Sequence, residues 1–337
     1  MSSWDCWTGT GREPVPDTLA VAQRLMAALD ANDADGVRRC FAPDGTWWVD
    51  TGLDRAAGVF EVDPGDERPW PLHGLMAARA KCDLLRSLPE RFPGGVRQHV
   101  RRAFAGGGVA VLEVEGDGLF LGERPYRNRY AFVLTVRDGA VSSLREYLDT
   151  AHSAAVFDGR NMDRRSLAPE PVADVLTAPA GAGERLAADF LGALEAADGD
   201  RLLALCAPGA TWWADGGRVR TAGPEAPADP DAELVVVGRV PVTARAPRID
   251  GLRTTFPEGL RLRAHRVVTD DDFDHTGLVA VEVAGHGVHR GGAIYQNRYV
   301  FVLRAEDGRL AEIREYCDTR HAFDVYGIDR QPSQANA

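Results

Sequence analysis

A glutamate flanked by apolar residues is the first candidate for chemistry in this sequence. Residues two apart share one face of a strand. Leu144, Glu146 and Leu148 therefore lie on one face of the predicted strand, and Arg145 lies on the other. A carboxylate on that apolar face is poorly hydrated, which raises its pKa and suits it to proton transfer. We therefore predict Glu146 as a catalytic acid or base. The alternative is a structural ion pair between Glu146 and Arg145 or Arg129.

Polar residues on the preceding predicted strand alternate in the same way. Asn128 and Tyr130 share their face with Phe132, so both are predicted to lie beside Glu146. An amide and a phenol in this place would polarise a substrate carbonyl or hold a water molecule. The alternative is that Asn128 bonds to backbone groups and that Tyr130 belongs to the core. Tyr126 lies on the same face and is predicted to contact substrate.

Tryptophan and histidine residues add candidates for substrate contact. Trp47 and Trp48 are adjacent, so one of them faces inward, and we assign Trp47 to substrate binding. The alternative is a core tryptophan, because large aromatic residues dominate protein cores. His73 and His99 are predicted to supply further polar groups near the same pocket.

An internal repeat gives these candidates partners in the second half of the chain. A period this long indicates two duplicated domains rather than a solenoid. The second copy adds the catalytic candidates Glu315, Asn297 and Tyr299 and the substrate-binding candidates Trp212 and Tyr295. The shared motifs are TWWVD at 46–50 and TWWAD at 211–215, YRNRY at 126–130 and YQNRY at 295–299, and LREYLDT at 144–150 and IREYCDT at 313–319.

The predicted organisation is a first domain over 17–158, a linker over 159–182 and a second domain over 183–326. The linker is rich in proline and alanine. In each copy, apolar residues at helical spacing come first and strand-like runs follow, an order typical of an α+β fold. The first copy shows helices over 18–30 and around 73–88, strands over 109–115, 126–136 and 141–148, and a hairpin turn at Asp138-Gly139.

These motifs, in this order, resemble the SnoaL-like branch of the NTF2-like superfamily over nearly the whole of both copies. The resemblance implies two tandem cone-shaped domains, each a curved antiparallel sheet wrapped around three helices with a pocket inside. Because family members usually pair through their outer sheet faces, the fused copies are expected to form a pseudo-dimer within one chain. The residues predicted for that contact are Ala131, Val133, Val300 and Val302.

The same resemblance bears on the chemistry. The place of Glu146 matches the catalytic aspartate of SnoaL-like cyclases and one carboxylate of limonene epoxide hydrolase-like enzymes. Two departures are present in both copies. Where the ketosteroid isomerase-like pattern has a carboxylate, this chain has Val49 and Ala214, and Val114 and Gly116 replace the Arg-x-Asp pair of the epoxide hydrolases. Only the last-strand carboxylate remains.

The resemblance and the residues together predict a cofactor-independent acid/base enzyme that acts on a hydrophobic, oxygenated small molecule. The substrate would be polyketide- or terpenoid-like and the reaction a cyclisation, isomerisation or dehydration in a biosynthetic pathway. An epoxide hydrolase-like enzyme and a non-catalytic small-molecule binding protein are the alternatives. Further association into homo-oligomers is left open.

Composition excludes several other classes. The chain of 337 residues has 39 Lys+Arg, 50 Asp+Glu and a net charge of −11, which argues against a nucleic-acid partner. It lacks a long apolar run or a signal peptide, so we expect a cytoplasmic protein without membrane contact. Its odd number of cysteines, 5 in all, fits reduced thiols. Lys81 is the only lysine and so the only candidate for a lysine Schiff base.

Histidines and acidic residues offer a weak case for a metal. Glu282, His286 and His289 are close in sequence, but the first copy has no equivalent cluster, and we predict neither a metal nor another cofactor. His152 and His321 follow the Asp-Thr pair at the end of each last strand, where a structural role is favoured over one at the pocket mouth.

The two pockets are predicted to be unequal, with the first as the working one. The second copy has Pro241 and Pro247 where the first has a helix-forming run, and proline inside a helix costs about 3 kcal/mol. The third helix of copy two is therefore expected to be short or broken and its pocket reshaped or partly filled. The alternative is that Pro241 only starts that helix.

Overall fold

The computed structural model describes residues 17–49, 74–157, 174–214 and 238–326, which form two copies of one α+β unit. In both copies helices come before most of the strands, as predicted. The first copy consists of α1 (Thr18–Asp30), α2 (Ala34–Cys40), β1 (Phe41–Val49), β2 (Leu75–Ala77), α3 (Ala78–Arg86), α4 (Leu88–Arg91), β3 (Val96–Gly106), β4 (Val109–Phe120), β5 (Arg124–Arg137), β6 (Ala140–Leu148) and α5 (Thr150–Val156).

The second copy repeats this order after a short 3₁₀ helix over Val175–Thr177. None of the helices in the described ranges is long and apolar enough to cross a membrane. The elements are α6 (Ala182–Glu195), α7 (Gly199–Leu205), β7 (Cys206–Ala214), β8 (Gly238–Pro241), α8 (Val242–Asp250), α9 (Leu252–Thr255), β9 (Arg261–Thr269), α10 (Phe273–Thr276), β10 (Leu278–Val288), β11 (Ile294–Glu306), β12 (Arg309–Cys317) and α11 (Thr319–Tyr326).

Each copy contains one six-stranded sheet, in the order β2-β1-β6-β5-β4-β3 and β8-β7-β12-β11-β10-β9. The predicted antiparallel arrangement holds for every neighbouring pair but one in each sheet. β1 runs parallel to β6, and β7 runs parallel to β12. The sheets are therefore mixed, because the helices and the other strands intervene in sequence between these two partners and can return the chain in the same direction.

Local sequence explains the first helices and the hairpins. The side chain of Asp17 accepts a hydrogen bond from the Leu19 amide and caps α1, and Asp33 caps α2 by accepting from Gly36 N at 2.8 Å. Asp138 and Gly139 both have positive φ, at 50° and 75°, as a two-residue hairpin turn of type I′ requires. The predicted turn is thus confirmed.

The third helix begins later than predicted in copy one and is not broken in copy two. Residues 75–77 form β2, which pairs with Thr46–Trp48, so α3 starts only at Ala78. α8 has 9 residues, as many as α3. Pro241 is its N-cap, where a missing N–H costs nothing, and Pro247 lies inside it. The expectation of a short or broken helix was therefore wrong.

The two sheets pack against each other through their outer faces, as the pseudo-dimer prediction requires. One buried apolar cluster joins the copies, and it includes the four predicted residues together with Trp48 and Tyr147 of the first copy and Trp213 and Tyr316 of the second. Trp48 faces this interface because it is adjacent to Trp47 in β1 and so points to the opposite side of the sheet.

Buried charges cross this interface reciprocally. Arg145 Nε lies 2.6 Å from Glu282 Oε1, and Tyr147 donates to the same oxygen at 2.5 Å. In the mirrored set, Arg314 and Tyr316 contact Glu113 Oε1 at 2.5 and 2.6 Å. Glu282 therefore belongs to the interface, where His265 lies 3.8 Å from it. Among the residues described, no three His, Cys, Asp or Glu side chains converge as metal ligands would.

The repeated Asp-Thr motif forms a second reciprocal contact. Thr150 Oγ1 donates to Asp318 Oδ1 at 2.5 Å, and Thr319 Oγ1 donates to Asp149 Oδ1 at 2.5 Å. Each threonine hydroxyl also accepts a backbone N–H of the other copy at 3.0 Å. The motif at the end of β6 and β12 therefore ties the two copies together and places the neighbouring pocket walls.

Candidate active site

A pocket lies inside each cone, between the helices and the inner face of the sheet. In the first copy it encloses about 720 Å³ of space, a figure that includes the open solvent at its mouth. Aliphatic and aromatic side chains form most of the wall, and a few polar groups converge on it. The polar lining residues are Asn32, Trp47, Lys81, Gln98, Tyr126, Tyr130 and Glu146.

Glu146 lies at the floor of this pocket in a trio with a tryptophan and a lysine. Trp47 Nε1 donates a hydrogen bond of 2.7 Å to Glu146 Oε2, and Lys81 Nζ lies 3.6 Å from the same oxygen. All three residues are buried, with exposures of 2% for Trp47, 2% for Lys81 and 6% for Glu146. The other oxygen, Oε1, has no hydrogen-bond partner in the ranges that the structure describes.

Strand register produces the contact between Trp47 and Glu146. The parallel pairing of β1 with β6 sets Trp47 opposite Leu144 and Val49 opposite Glu146. Trp47 and Glu146 are thus diagonal neighbours on one face of the sheet, within reach of a large side chain. Val49 is apolar, so Glu146 is the one carboxylate among the described residues that line the pocket.

Lys81 is the functional residue that sequence reasoning did not place in the pocket. It lies on α3, whose buried residues are Ala78, Lys81 and Cys82. That spacing is the inward face of a helix, and it would have identified Lys81 as a charged residue on an apolar face. The arginine partners considered for Glu146 lie elsewhere, since Arg145 pairs with Glu282 and Arg129 with Glu115.

Two tyrosines form the other polar part of the pocket. The hydroxyls of Tyr126 and Tyr130 are 2.8 Å apart, and Asn128 Nδ2 donates to Tyr126 OH at 3.1 Å. Tyr130 is two residues from Phe132, the residue paired with Glu146 across β5 and β6. Tyr130 and Glu146 are therefore diagonal neighbours on the inner face, and both line the pocket.

Asn128 is fully buried and does not line the pocket. Its amide oxygen accepts from Arg129 N at 2.8 Å and Asp149 N at 3.1 Å, and its amide nitrogen donates to Tyr126 OH and to Asp149 O. These four bonds use the whole capacity of the amide. The structure thus favours the alternative role for Asn128, which holds backbone groups and orients Tyr126.

Gly116 on β4 leaves space for the ring of Tyr130 on the neighbouring strand β5. A Cβ at this position would come within 2.9 Å of the Tyr130 ring, closer than carbon atoms pack. Gly285 stands in the same relation to Tyr299, at 2.8 Å. The residue that departs from the epoxide hydrolase-like pattern therefore leaves room for the tyrosine on the neighbouring strand.

The histidine candidates are not brought to the pocket. His99 is exposed on β3, and its neighbour Gln98 lines the pocket instead, because adjacent strand residues face opposite sides. His73 lies outside the described residues. His152 has a structural role: its Nε2 accepts from Arg127 N at 3.0 Å and its ring stacks on Tyr126 at 5.6 Å.

The second pocket has the same plan with an arginine in place of the lysine. Trp212 Nε1 donates to Glu315 Oε2 at 2.9 Å, and Arg245 lies 3.6 Å from that oxygen. Burial raises the pKa of Glu315, opposed by the charge of Arg245 and the bond from Trp212. Tyr295 and Tyr299 line this pocket, while Asn297 is fully buried and donates to Tyr295 OH at 3.0 Å.

The two pockets are similar in size but differ in charge. The second pocket encloses about 820 Å³, again including the open solvent at its mouth. The expectation that this pocket would be partly filled was therefore wrong. Arg245 and Arg248 both line it, together with Tyr326 from α11. The difference in charge between the pockets therefore comes from single substitutions in their walls. Which of the two pockets is catalytic remains a prediction.

Replacing Trp47 by phenylalanine tests the floor of the first pocket. We expect the free energy of unfolding to fall by about 1.5–3 kcal/mol, because a hydrogen bond to a buried charged group is lost. Urea titration followed by circular dichroism measures this. Trp212→Phe is the matched variant and should give a similar loss. If both variants unfold like the wild type, the tryptophan bonds do not hold the carboxylates.

Comparison with known proteins agrees with this architecture. A family model described as a SnoaL-like domain matches residues 22–144 and again 187–313. No curated protein sequence matches the chain. Among solved structures, TerC co-crystallized with polyporic acid is 17% identical, with 42% of this chain and 98% of that chain covered and a TM-score of 0.34.

Two further solved structures cover one copy each. IdmH, described as a putative polyketide cyclase from Streptomyces antibioticus, is 18% identical over 43% of this chain and 98% of its own, with a TM-score of 0.32. An LEH-like epoxide hydrolase from M. tuberculosis is 19% identical over 42% of this chain and 88% of its own, with a TM-score of 0.30.

Proposed function

The chain belongs to the SnoaL-like domain family, and on that premise we propose that it is an acid/base enzyme that needs no cofactor. The observation that carries the proposal is the setting of Glu146. One carboxylate oxygen is held by Trp47 and Lys81, and the other has no partner in the described part of the chain and belongs to a pocket-lining residue. A carboxylate fixed in this way is pre-oriented to move a proton.

The two polar parts of the pocket have complementary roles in this proposal. Tyr130 lies at the end of the chain of hydrogen bonds from Asn128 through Tyr126, and such chains strengthen the last donor. Tyr130 would donate to a substrate carbonyl or hydroxyl oxygen. Glu146 would take a proton from the adjacent carbon and return it elsewhere, which gives isomerisation, loss of water or ring closure.

The walls indicate the substrate class. Leu29, Val37, Leu88, Phe92 and Phe157 line the pocket together with Phe132, so a hydrophobic body is expected next to a few oxygen atoms. An aromatic polyketide- or terpenoid-like molecule fits this description.

Proton exchange separates an enzyme from a binding protein. We would incubate the chain with aromatic β-diketones in D2O and follow loss of the α-proton signals by NMR. Glu146→Gln should keep ligand binding and slow the catalysed exchange by about 100-fold, because a positioned acid/base group contributes at least that factor. Glu315→Gln is the matched control and should remain close to the wild type if the first pocket works.

Other outcomes have distinct meanings. Binding without any exchange above buffer would identify a binding protein and contradict the proposal. Equal losses from both variants would assign the reaction to both pockets, and loss from Glu315→Gln alone would assign it to the second. Conversion of epoxides to diols that depends on Glu146, without carbon-proton exchange, would identify an epoxide hydrolase-like enzyme instead.

A further inference from the structure

The lysine in the first pocket is unusual for this chain. Of its 39 lysine and arginine residues, Lys81 alone is lysine. It is 2% exposed and lines the same pocket as Glu146, Tyr126 and Tyr130. The other copy has Arg245 at the same place on its third helix, with the same contacts to tryptophan and glutamate. An ion pair with the carboxylate therefore does not require lysine.

Lysine differs from arginine in what its side chain can do. A guanidinium stays protonated and is not a nucleophile, whereas a buried amine readily loses its proton and can attack a carbonyl. Glu146 Oε2, at 3.6 Å from Nζ, is a base that would take the ammonium proton.

We propose that Lys81 forms a Schiff base with the aldehyde or ketone group of a hydrophobic substrate. The inference rests on the proposed function and deepens it, since it names the carbonyl class and the covalent step. The neutral amine attacks the carbonyl carbon, and one proton moves from the attacking nitrogen to the carbonyl oxygen to give a carbinolamine. The hydroxyl then leaves as water with a proton from Glu146, and a protonated imine remains.

This step links the two polar parts of the pocket. The protonated imine withdraws electrons from the adjacent carbon, whose proton Glu146 then accepts after it has given up its own to the leaving water. Tyr130, diagonal to Glu146 on the inner face, would hold the carbonyl oxygen before it departs. Hydrolysis reverses the condensation and releases the product, so no oxidant or reductant is consumed.

A single lysine makes the test direct. We would incubate the folded chain with 2-naphthaldehyde and sodium cyanoborohydride, which delivers hydride to an imine carbon and fixes the link as a secondary amine. Peptide mass spectrometry then locates the adduct. We expect Lys81 to be labelled at least about tenfold faster in the folded chain than in the urea-unfolded chain, because the pocket would hold the aldehyde beside an amine whose proton Glu146 can accept. The labelling rate should also saturate with the aldehyde concentration.

Variants supply the controls. Lys81→Arg copies the arrangement of the second pocket and is expected to fold; it should leave only the N-terminal amine to react. Glu146→Gln should slow labelling of Lys81 because the proton acceptor is lost. Labelling of Lys81 no faster than in the unfolded chain, or no faster than at the N-terminal amine, overturns the inference.

The experiment separates this inference from the proposed function. If Glu146→Gln loses proton exchange while Lys81 is not labelled, acid/base catalysis stands and the covalent step is wrong. If Lys81 is labelled but Glu146→Gln exchanges protons like the wild type, the pocket binds carbonyl compounds covalently and the proposed role of Glu146 is wrong.

Discussion

Glu282→Gln is expected to lower the free energy of unfolding by about 3–5 kcal/mol, the usual cost of removing one member of a buried ion pair. Glu282 is 1% exposed and contacts Arg145 at 2.6 Å, Tyr147 at 2.5 Å and Arg266 at 3.2 Å. The neutral amide would leave the two arginines between the sheets without their counter-charge. Urea titration gives the change directly.

The same variant has a predicted pH dependence. Burial alone would raise the pKa of Glu282, but the charges of Arg145, His265 and Arg266 hold it well below its ordinary value of 4.5. A carboxyl with a lowered pKa stabilises the folded state above its unfolded pKa. The advantage of the wild type over Glu282→Gln should therefore be complete above about pH 4.5 and shrink as the pH falls below it.

Two control variants show whether the loss of stability comes from the buried charge. Glu113→Gln breaks the mirrored contact with Arg314 and should give a loss of similar size. Asp117→Asn breaks a pair with Arg127 in which both side chains are exposed, and such pairs contribute only about 0–1 kcal/mol. A loss below 1 kcal/mol for Glu282→Gln, or a difference that does not change with pH, would show that the interface charges do not stabilise the pairing.

The faces of the strands were predictable because alternation is a local property. Period-two spacing placed Glu146 and Tyr130 on the inner side and Ala131 and Val133 on the outer face. The pairing of the outer faces was implied by the resemblance to SnoaL-like proteins, and spacing alone did not say which of Trp47 and Trp48 faces inward. The internal repeat then carried each assignment to the second copy. None of these conclusions needs knowledge of which strand lies next to which.

Contacts between distant segments were not predictable in this way. The parallel pairing of β1 with β6 brings Trp47 to Glu146, and nothing local in either strand specifies a parallel neighbour. Lys81 contacts the carboxylate from α3. The predicted start of that helix was wrong, because the residues before Ala78 form β2. The partner of Arg145 lies in the other copy, so its pairing depends on how two domains meet.

Asn128→Leu is expected to cost at least about 2 kcal/mol of unfolding free energy, because each buried backbone N–H that loses its acceptor costs about 1–3 kcal/mol. The side chain is 0% exposed, and Asn128 Oδ1 is the acceptor for the amides of Arg129 and Asp149. Leucine matches the volume but supplies no acceptor. Urea titration measures the loss, and Asn297→Leu is the matched variant in the second copy.

The double variant with Tyr126→Phe separates the two roles of the Asn128 amide, which are to bind backbone N–H groups and to orient Tyr126. If Asn128 acts on the pocket by holding the Tyr126 hydroxyl, removing both groups should cost less than the sum of the single losses, since the 3.1 Å bond between them is counted once. Strict additivity would show that Asn128 stabilises only the backbone. In that case Asn128→Leu should unfold more easily yet bind aromatic β-diketones as tightly as the wild type, and the orientation of the tyrosine pair would come from other contacts, which include Gly116 and the His152 ring.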